Sequence, residues 1–391
     1  IAVYGGRPFP ASAAALEETV CVVIPSTDFF ALLERQPSLV RGLLLGMTVR
    51  VVELTNRIGE LSGGRIEPRF ARLFLKLGSQ MGREDRGGIF IPLALSRGVV
   101  SVHDKDGWLG ALRVFQRLKD EGALDLRIWQ SLPWNHLERL QEIGLASGLG
   151  DDFLRVGYIK AFLDGTLGSR TALMLDGSGV EIVGYEEFVD IVRRSARAGF
   201  PVAVHAIGDL ANRRALDAFE ETQDEWRPRG LRQRIEHAQL LAPEDVGRFA
   251  ELGVAASVQF SHAASDRDLA DAFWEGKTGG AYAFRSLVDS GALVANGSDA
   301  PVEELDPLFG IRAGVTRTLD ERDAWHPEQA VTVEQALHAT CVAPAWLTGD
   351  ERRRGKLLPG YLADLVVLDR DPLETPADEL GEIQVVATMV G

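Results

Sequence analysis

Pro201-Val202-Ala203-Val204-His205-Ala206-Ile207-Gly208-Asp209 reads as a short apolar strand that ends on a histidine, turns at a glycine and passes into an amphipathic helix predicted over 208–222. An apolar run of this length without a polar alternation suits a strand buried on both faces, and strands of that kind belong to parallel sheets whose neighbours are joined by helical crossovers. The pattern recurs on either side of this unit. Strands are predicted at 98–103, 126–131, 155–162, 200–205, 233–237, 254–259 and 292–297, with clear helices at 186–198, 208–222 and 243–252. Seven βα units in succession predict an α/β fold, a TIM-type (β/α)8 barrel that is one strand short. A helical stretch from Val333 to Leu347 follows, then Gly355-Lys356-Leu357 and an apolar strand from Ala363 to Leu368.

Side chains at the C-terminal ends of barrel strands share one mouth, which is where this architecture places chemistry. Four predicted strands end on residues able to ligate a metal, namely Lys160, His205, His237 and Asp299, and Ser101-Val102-His103-Asp104 brings His103 toward the same end. Arg170, Asp209 and His262 lie in predicted loops near it, as candidates to orient ligands or bind substrate. Each residue also has a plainer reading. A lone strand-end histidine is usually a satisfied polar group, Lys160 has a ready partner in Asp164, and Asp104 or Asp106 suits the cap of a helix starting near Gly107. His136, His326 and His338 read as surface or helix residues.

The ordered motifs carry more than any single residue. Tyr158-Ile159-Lys160-Ala161-Phe162-Leu163-Asp164-Gly165, Val202 to Asp209, Arg234-Ile235-Glu236-His237-Ala238-Gln239, Asn296-Gly297-Ser298-Asp299-Ala300-Pro301 and the closing Leu358-Pro359-Gly360-Tyr361-Leu362-Ala363-Asp364-Leu365-Val366-Val367-Leu368 together resemble the amidohydrolase superfamily, in its amidohydrolase-3 branch, over residues 98–391. The resemblance implies Lys160, His205, His237 and Asp299 on strands four, five, six and eight around divalent metal, with zinc the expected ion. Neutral imidazoles suit zinc, whereas an ammonium repels it, so Lys160 would ligate only when carbamylated. Asp299 would be the general base toward metal-bound water. The family also places a His-x-His pair at the end of its first strand, and the first histidine of this sequence is His103. The retained residues therefore imply at most one ion, in the more exposed position, and impaired activity.

The 391 residues carry a formal charge of -15, unevenly spread: residues 1–97 hold 12 Lys/Arg against 9 Asp/Glu, and the acidic excess lies beyond them. That balance argues against nucleic acid as a partner of 98–391. With two cysteines, Cys21 and Cys341, neither a disulfide framework nor a cysteine metal site is available. No run approaches the ~20 apolar residues of a membrane span, and no secretory signal pattern opens the chain, so a cytoplasmic location is expected.

Residues 1–97 read differently. Val20-Cys21-Val22-Val23-Ile24 stops at Pro25; after Pro37, the residues Met47, Val51, Leu54, Ile58 and Leu61 fall on one helical seam; Phe70, Leu73, Phe74, Leu77 and Met81 share a second helical face; and Ile89-Phe90-Ile91-Pro92-Leu93 reads as a strand. With Pro10-Ala11-Ser12-Ala13, Ile24-Pro25 and Phe29, this order resembles the Crp/Fnr transcription regulators. It implies an α+β fragment holding the end of an effector β-roll, a dimerisation helix and the start of a winged helix, without the DNA-reading helix. The seam fits a homodimer or a core-facing helix equally.

Three domains are thus expected: 1–97 regulator-like, 98–350 the incomplete barrel, and 351–391 a partial C-terminal β-sandwich. The expected function is metal-dependent hydrolysis of non-peptide carbon-nitrogen bonds, N-acyl or N-formyl, in a small-molecule amide substrate. The alternatives are a regulator fragment of cyclic-nucleotide type, or a non-functional chimera joined near residue 97.

Overall fold

The computed structural model describes residues 90–105 and 110–391, all within the compact unit Arg69–Gly391. The expectations for residues 1–89, regulator resemblance and helical seam included, lie outside the described residues, as does Asp106.

Seven strands form one parallel sheet in sequence order: β1 (Ser101–Asp104), β2 (Arg127–Pro133), β3 (Leu154–Phe162), β4 (Val202–Ala206), β5 (Arg234–His237), β6 (Ala255–Val258) and β7 (Val294–Asn296). Each pairs only with its chain neighbours, so among the described residues β1 and β7 are edges and the (β/α)8 barrel is incomplete. β2 and β4 are buried at every position, as strands covered on both faces must be.

The helices predicted at 186–198, 208–222 and 243–252 form. After α1 (Phe90–Ser96) and α2 (Ala111–Asp120), α3 (Tyr185–Arg197) buries Phe188, Val189, Ile191, Val192 and Ala196 along one stripe, with Glu186 and Glu187 in its first turn and Arg194 and Arg197 in its last. α4 (Asp209–Glu221) buries Ala211, Ala215, Leu216, Ala218 and Phe219. α5 (Pro243–Leu252) starts on a proline, whose missing N–H costs nothing at a first turn, and stops at Gly253 in left-handed backbone. The inner face of the sheet is small: Ala203, Ala255 and Ala295 pack with Trp129, Tyr158, Ala343 and Leu347. Alanines on three strands let the C-terminal helix Ala343–Leu347 approach, and Tyr158 donates its hydroxyl to the Leu347 carbonyl at 2.8 Å.

Two expectations are corrected. The described part of the stretch read as a strand, residues 90–93, instead enters α1, because Pro92 falls in the first turn where a helix tolerates it and the apolar run lacks strand alternation. The helix after β1 begins at Ala111 on an uncapped Gly110, and Asp104 accepts from Gln130 Nε2 at 2.9 Å rather than capping it. Beyond the barrel, β8 (Leu365–Leu368) pairs antiparallel with β9 (Val385–Met389), the only sheet of the C-terminal segment among the described residues.

Candidate active site

Strand register brings the candidate residues to one end of the sheet. Phe162 on β3 is level with His205 on β4, and Ala206 is level with His237 on β5. Lys160 precedes Phe162 by two residues, on the same face, and its Nζ lies 4.4 Å from the Phe162 ring centre. The Phe162 ring is in turn 5.1 Å from that of His205, and the His205 and His237 rings meet edge to face at 4.6 Å.

His237 reaches this position against the pleat. Arg234 and Glu236 face the barrel interior, so strict alternation would send His237 outward. Its backbone is left-handed instead, with φ of 75°, followed by Ala238 at 44°. Non-glycine residues in that region cost on the order of 1 kcal/mol or more each. The outcome is an imidazole turned into the mouth, its Nδ1 2.9 Å from Gln259 Oε1 beyond β6. An amide oxygen only accepts, so Nδ1 carries the proton and the lone pair sits on Nε2. His205 holds its Nε2 at 2.9 Å from the Gly165 carbonyl, which places its lone pair on Nδ1. Burial, then each other's proximity and that of Lys160, drive His205 well below the ordinary histidine range, and burial and Lys160 lower His237 to about 4. Both are neutral imidazoles at physiological pH.

Asp164, which sequence reasoning offered as a partner for Lys160, is instead a hub for two loops. Fully buried, it accepts from the backbone N–H groups of Leu173, Ile207 and Gly208 at 2.8 to 3.0 Å, and its Oδ1 is 3.5 Å from His205 Nε2. Burial raises its carboxyl to about 7 against those donors.

The remaining candidates divide. His262, first residue of the turn His262–Ser265, is buried and stacks parallel to His237 at 6.3 Å. Burial lowers it to about 4, opposed by Asp299. Asp299 lies in left-handed backbone at φ 53°; burial raises its carboxyl, opposed by nearby His262 and Lys160, and its exposure at the mouth tempers that push with solvent. His103 lies deeper, its Nδ1 accepting from Arg234 Nη1 at 3.0 Å. Arg170 is exposed and covers Phe273 at 3.9 Å, while Asp209 accepts from the backbone of Leu175 and Leu210 and so fixes the loop after β3.

Sequence reasoning missed the ionic group beneath the mouth. Glu236 accepts from Arg234 at 2.5 Å and lies 3.6 Å from Lys105 Nζ, which itself rests 4.4 Å from the Tyr158 ring centre. The signal was present: charges at alternate positions of a buried strand, Arg234 and Glu236, must point the same way and find partners inside. Among the described residues, no group of three or more His, Cys, Asp or Glu side chains is placed to hold a metal ion. The neutral pair His205 and His237 suits one, and the third donor nearby is Lys160, which fits a cation only as a carbamate.

The family profile for amidohydrolases matches residues 80–391. The chain belongs to the amidohydrolase family, in its amidohydrolase-3 branch. Among its relatives, this amidohydrolase-family chain is 33% identical to Protein LONG AFTER FAR-RED 3 of Arabidopsis thaliana over 76% of its own length and 54% of the relative's. It is 26% identical to N-substituted formamide deformylase of Arthrobacter pascens, over 76% and 57% of the two chains. The crystal structure of an uncharacterized metal-dependent hydrolase from Pyrococcus furiosus superimposes with a TM-score of 0.60 at 33% identity, covering 71% of this chain and 56% of that one. The chain thus spans about half the length of the curated relatives it matches. No helix among the described residues is long and apolar enough to cross a membrane.

Proposed function

We propose that this chain carries the major part of a metal-dependent hydrolase for carbon-nitrogen bonds of N-acyl or N-formyl amides. The observation that carries the reading is the meeting of two neutral imidazoles, His205 and His237, edge to face at 4.6 Å at the C-terminal ends of adjacent strands, with Lys160 on the next strand. Neutral imidazoles, His205 buried and His237 half-buried, with their outer nitrogens fixed by the Gly165 carbonyl and Gln259 are the arrangement a divalent ion needs. His205 through Nδ1, His237 through Nε2 and a carbamylated Lys160 would hold the ion, with zinc the expected metal and one ion the expected content. When bound, it would supply Lewis-acid polarisation and a more acidic water. Asp299, exposed at the mouth, would take the proton of the attacking water and return it to the leaving nitrogen. Arg170 and Asp209 act on the site through the loop after β3, and His262 contacts the substrate. The name of the formamide relative favours the N-formyl class.

Hydrolysis of N-benzylformamide, an N-acetyl amide and an Xaa-Pro dipeptide by zinc-loaded protein tests this. Release of formate or acetate, abolished in Asp299→Asn, is expected. Hydrolysis of the dipeptide alone would move the chain to a peptidase class.

A further inference from the structure

His262 and Gln239 form a buried pair, 5% and 4% exposed, with Gln239 Nε2 3.2 Å from His262 Nδ1. An amide NH2 only donates, so Nδ1 accepts and the ring proton resides on His262 Nε2. That Nε2 has no hydrogen-bond partner among the described residues, and neither has Gln239 Oε1. One donor and one acceptor on two bonded side chains are therefore left unsatisfied in a buried place, which natural structures seldom allow without a ligand or water. The pair adjoins the proposed chemistry: the His262 ring stacks on His237 at 6.3 Å and feels the Asp299 carboxylate.

We infer that His262 and Gln239 together recognise the substrate's amide group, His262 Nε2–H donating to its carbonyl oxygen and Gln239 Oε1 accepting its N–H. This rests on the amide-hydrolase reading above and sharpens it. A secondary amide offers one acceptor and one donor, the complement of what the pair leaves open. An ester offers no N–H to Gln239, so the pair selects amides over isosteric esters. Gln239 has a second task as a positioning residue: by donating to Nδ1 it fixes the tautomer that makes His262 a donor. A glutamate at 239 would accept from Nδ1–H instead and turn Nε2 into an acceptor, which a carbonyl oxygen cannot use.

The test combines a tautomer measurement with binding, neither of which needs turnover. In the full chain with ¹⁵N-labelled histidine, His262 should show the Nε2–H tautomer, and Gln239→Glu should convert it to Nδ1–H. N-benzylformamide should shift the His262 Nε2–H resonance and bind about tenfold more weakly to His262→Phe, the scale of one lost hydrogen bond, while His262→Asn, which keeps a donor, retains part of the affinity. Benzyl formate, lacking the N–H, should bind more weakly than the amide to wild type but equally to Gln239→Leu. An Nδ1–H tautomer in wild type, or unchanged amide binding in His262→Phe, overturns the inference, and so does a pair that holds only water and leaves the resonance unmoved by the amide. A protein that binds the amide in this way yet hydrolyses none refutes the proposed function alone. One that hydrolyses it with kcat and KM unaltered in His262→Phe refutes the inference alone.

Discussion

Asp164 Oδ1 lies 3.5 Å from His205 Nε2, and the same carboxylate accepts three backbone N–H groups, from Leu173 in the loop after β3 and from Ile207 and Gly208 after β4. One buried side chain thereby ties the placement of a site histidine to two loops. Removing it in Asp164→Ala strands three buried donors, each costing about 1–3 kcal/mol, so a destabilisation on the order of 3 kcal/mol or more is expected in urea unfolding. A loss below about 1 kcal/mol would show that water replaces the carboxylate without cost.

The same junction is tight on its other side. A Cβ on Gly208 would stand 2.1 Å from the Leu173 carbonyl oxygen, a backbone atom that moves only with its loop. Gly208→Ala should therefore cost about 1–3 kcal/mol and weaken metal binding through the displaced His205 end of β4. Wild-type stability in this variant would mean that the loop after β3 yields freely.

The sequence marks most of the fold and the strand-end residues, and what it does not mark has physical causes. All seven strands and α3 to α5 follow from apolar runs and helical periodicity, because parallel strands buried on both faces leave a clear local signal. Lys160, His205, His237 and Asp299 stood out by their strand-end positions. The left-handed turn at His237 and Ala238 left no such mark, since neither residue type announces a positive φ. Asp164 was misread for a related reason: a carboxylate four residues from a lysine suggests a pair, but the strand ends between them, and backbone N–H groups from distant loops reach it first. The helix at 90–96 was hidden by an apolar run too short to choose between periods.

Arg127 on β2 and Asp364 near the C-terminus form a two-pronged ion pair, 2.8 Å at each contact, with side chains 2% and 6% exposed. Asp364→Ala leaves a buried guanidinium without its carboxylate and is expected to cost about 3–5 kcal/mol in denaturant unfolding. The double replacement Arg127→Met with Asp364→Leu should recover most of that loss, as apolar pairs of similar volume often do. Equal instability of single and double variants would show that the arginine's other contacts, to the Asp152 carbonyl at 3.0 Å and to the Gly391 carbonyl, matter more.

Acid should act on the β3 approach. Asp151 pairs with Lys119 on α2 and accepts from the Phe153 and Leu154 backbone, which lower its carboxyl to about 2. A depressed folded pKa gives stability that is present above the ordinary carboxylate value near ~3.9 and lost as pH falls toward the folded one. The stability difference between wild type and Asp151→Asn should thus be visible at neutral pH and shrink below about pH 4. The pair is solvent-exposed, so the effect is small; a difference that grows on acidification would contradict the assignment.

His205, His237 and Lys160 are proposed to hold one metal ion between them, and zinc stoichiometry measured with bicarbonate present and absent decides whether they do. Apo protein titrated with zinc by calorimetry should take up at most one equivalent, more tightly with bicarbonate because carbamylation of Lys160 supplies the third donor. His205→Ala, His237→Ala and Lys160→Met should each abolish tight uptake while circular dichroism stays native. Two equivalents bound by wild type, or one still bound tightly by His237→Ala, would rule out a single site built from these three residues.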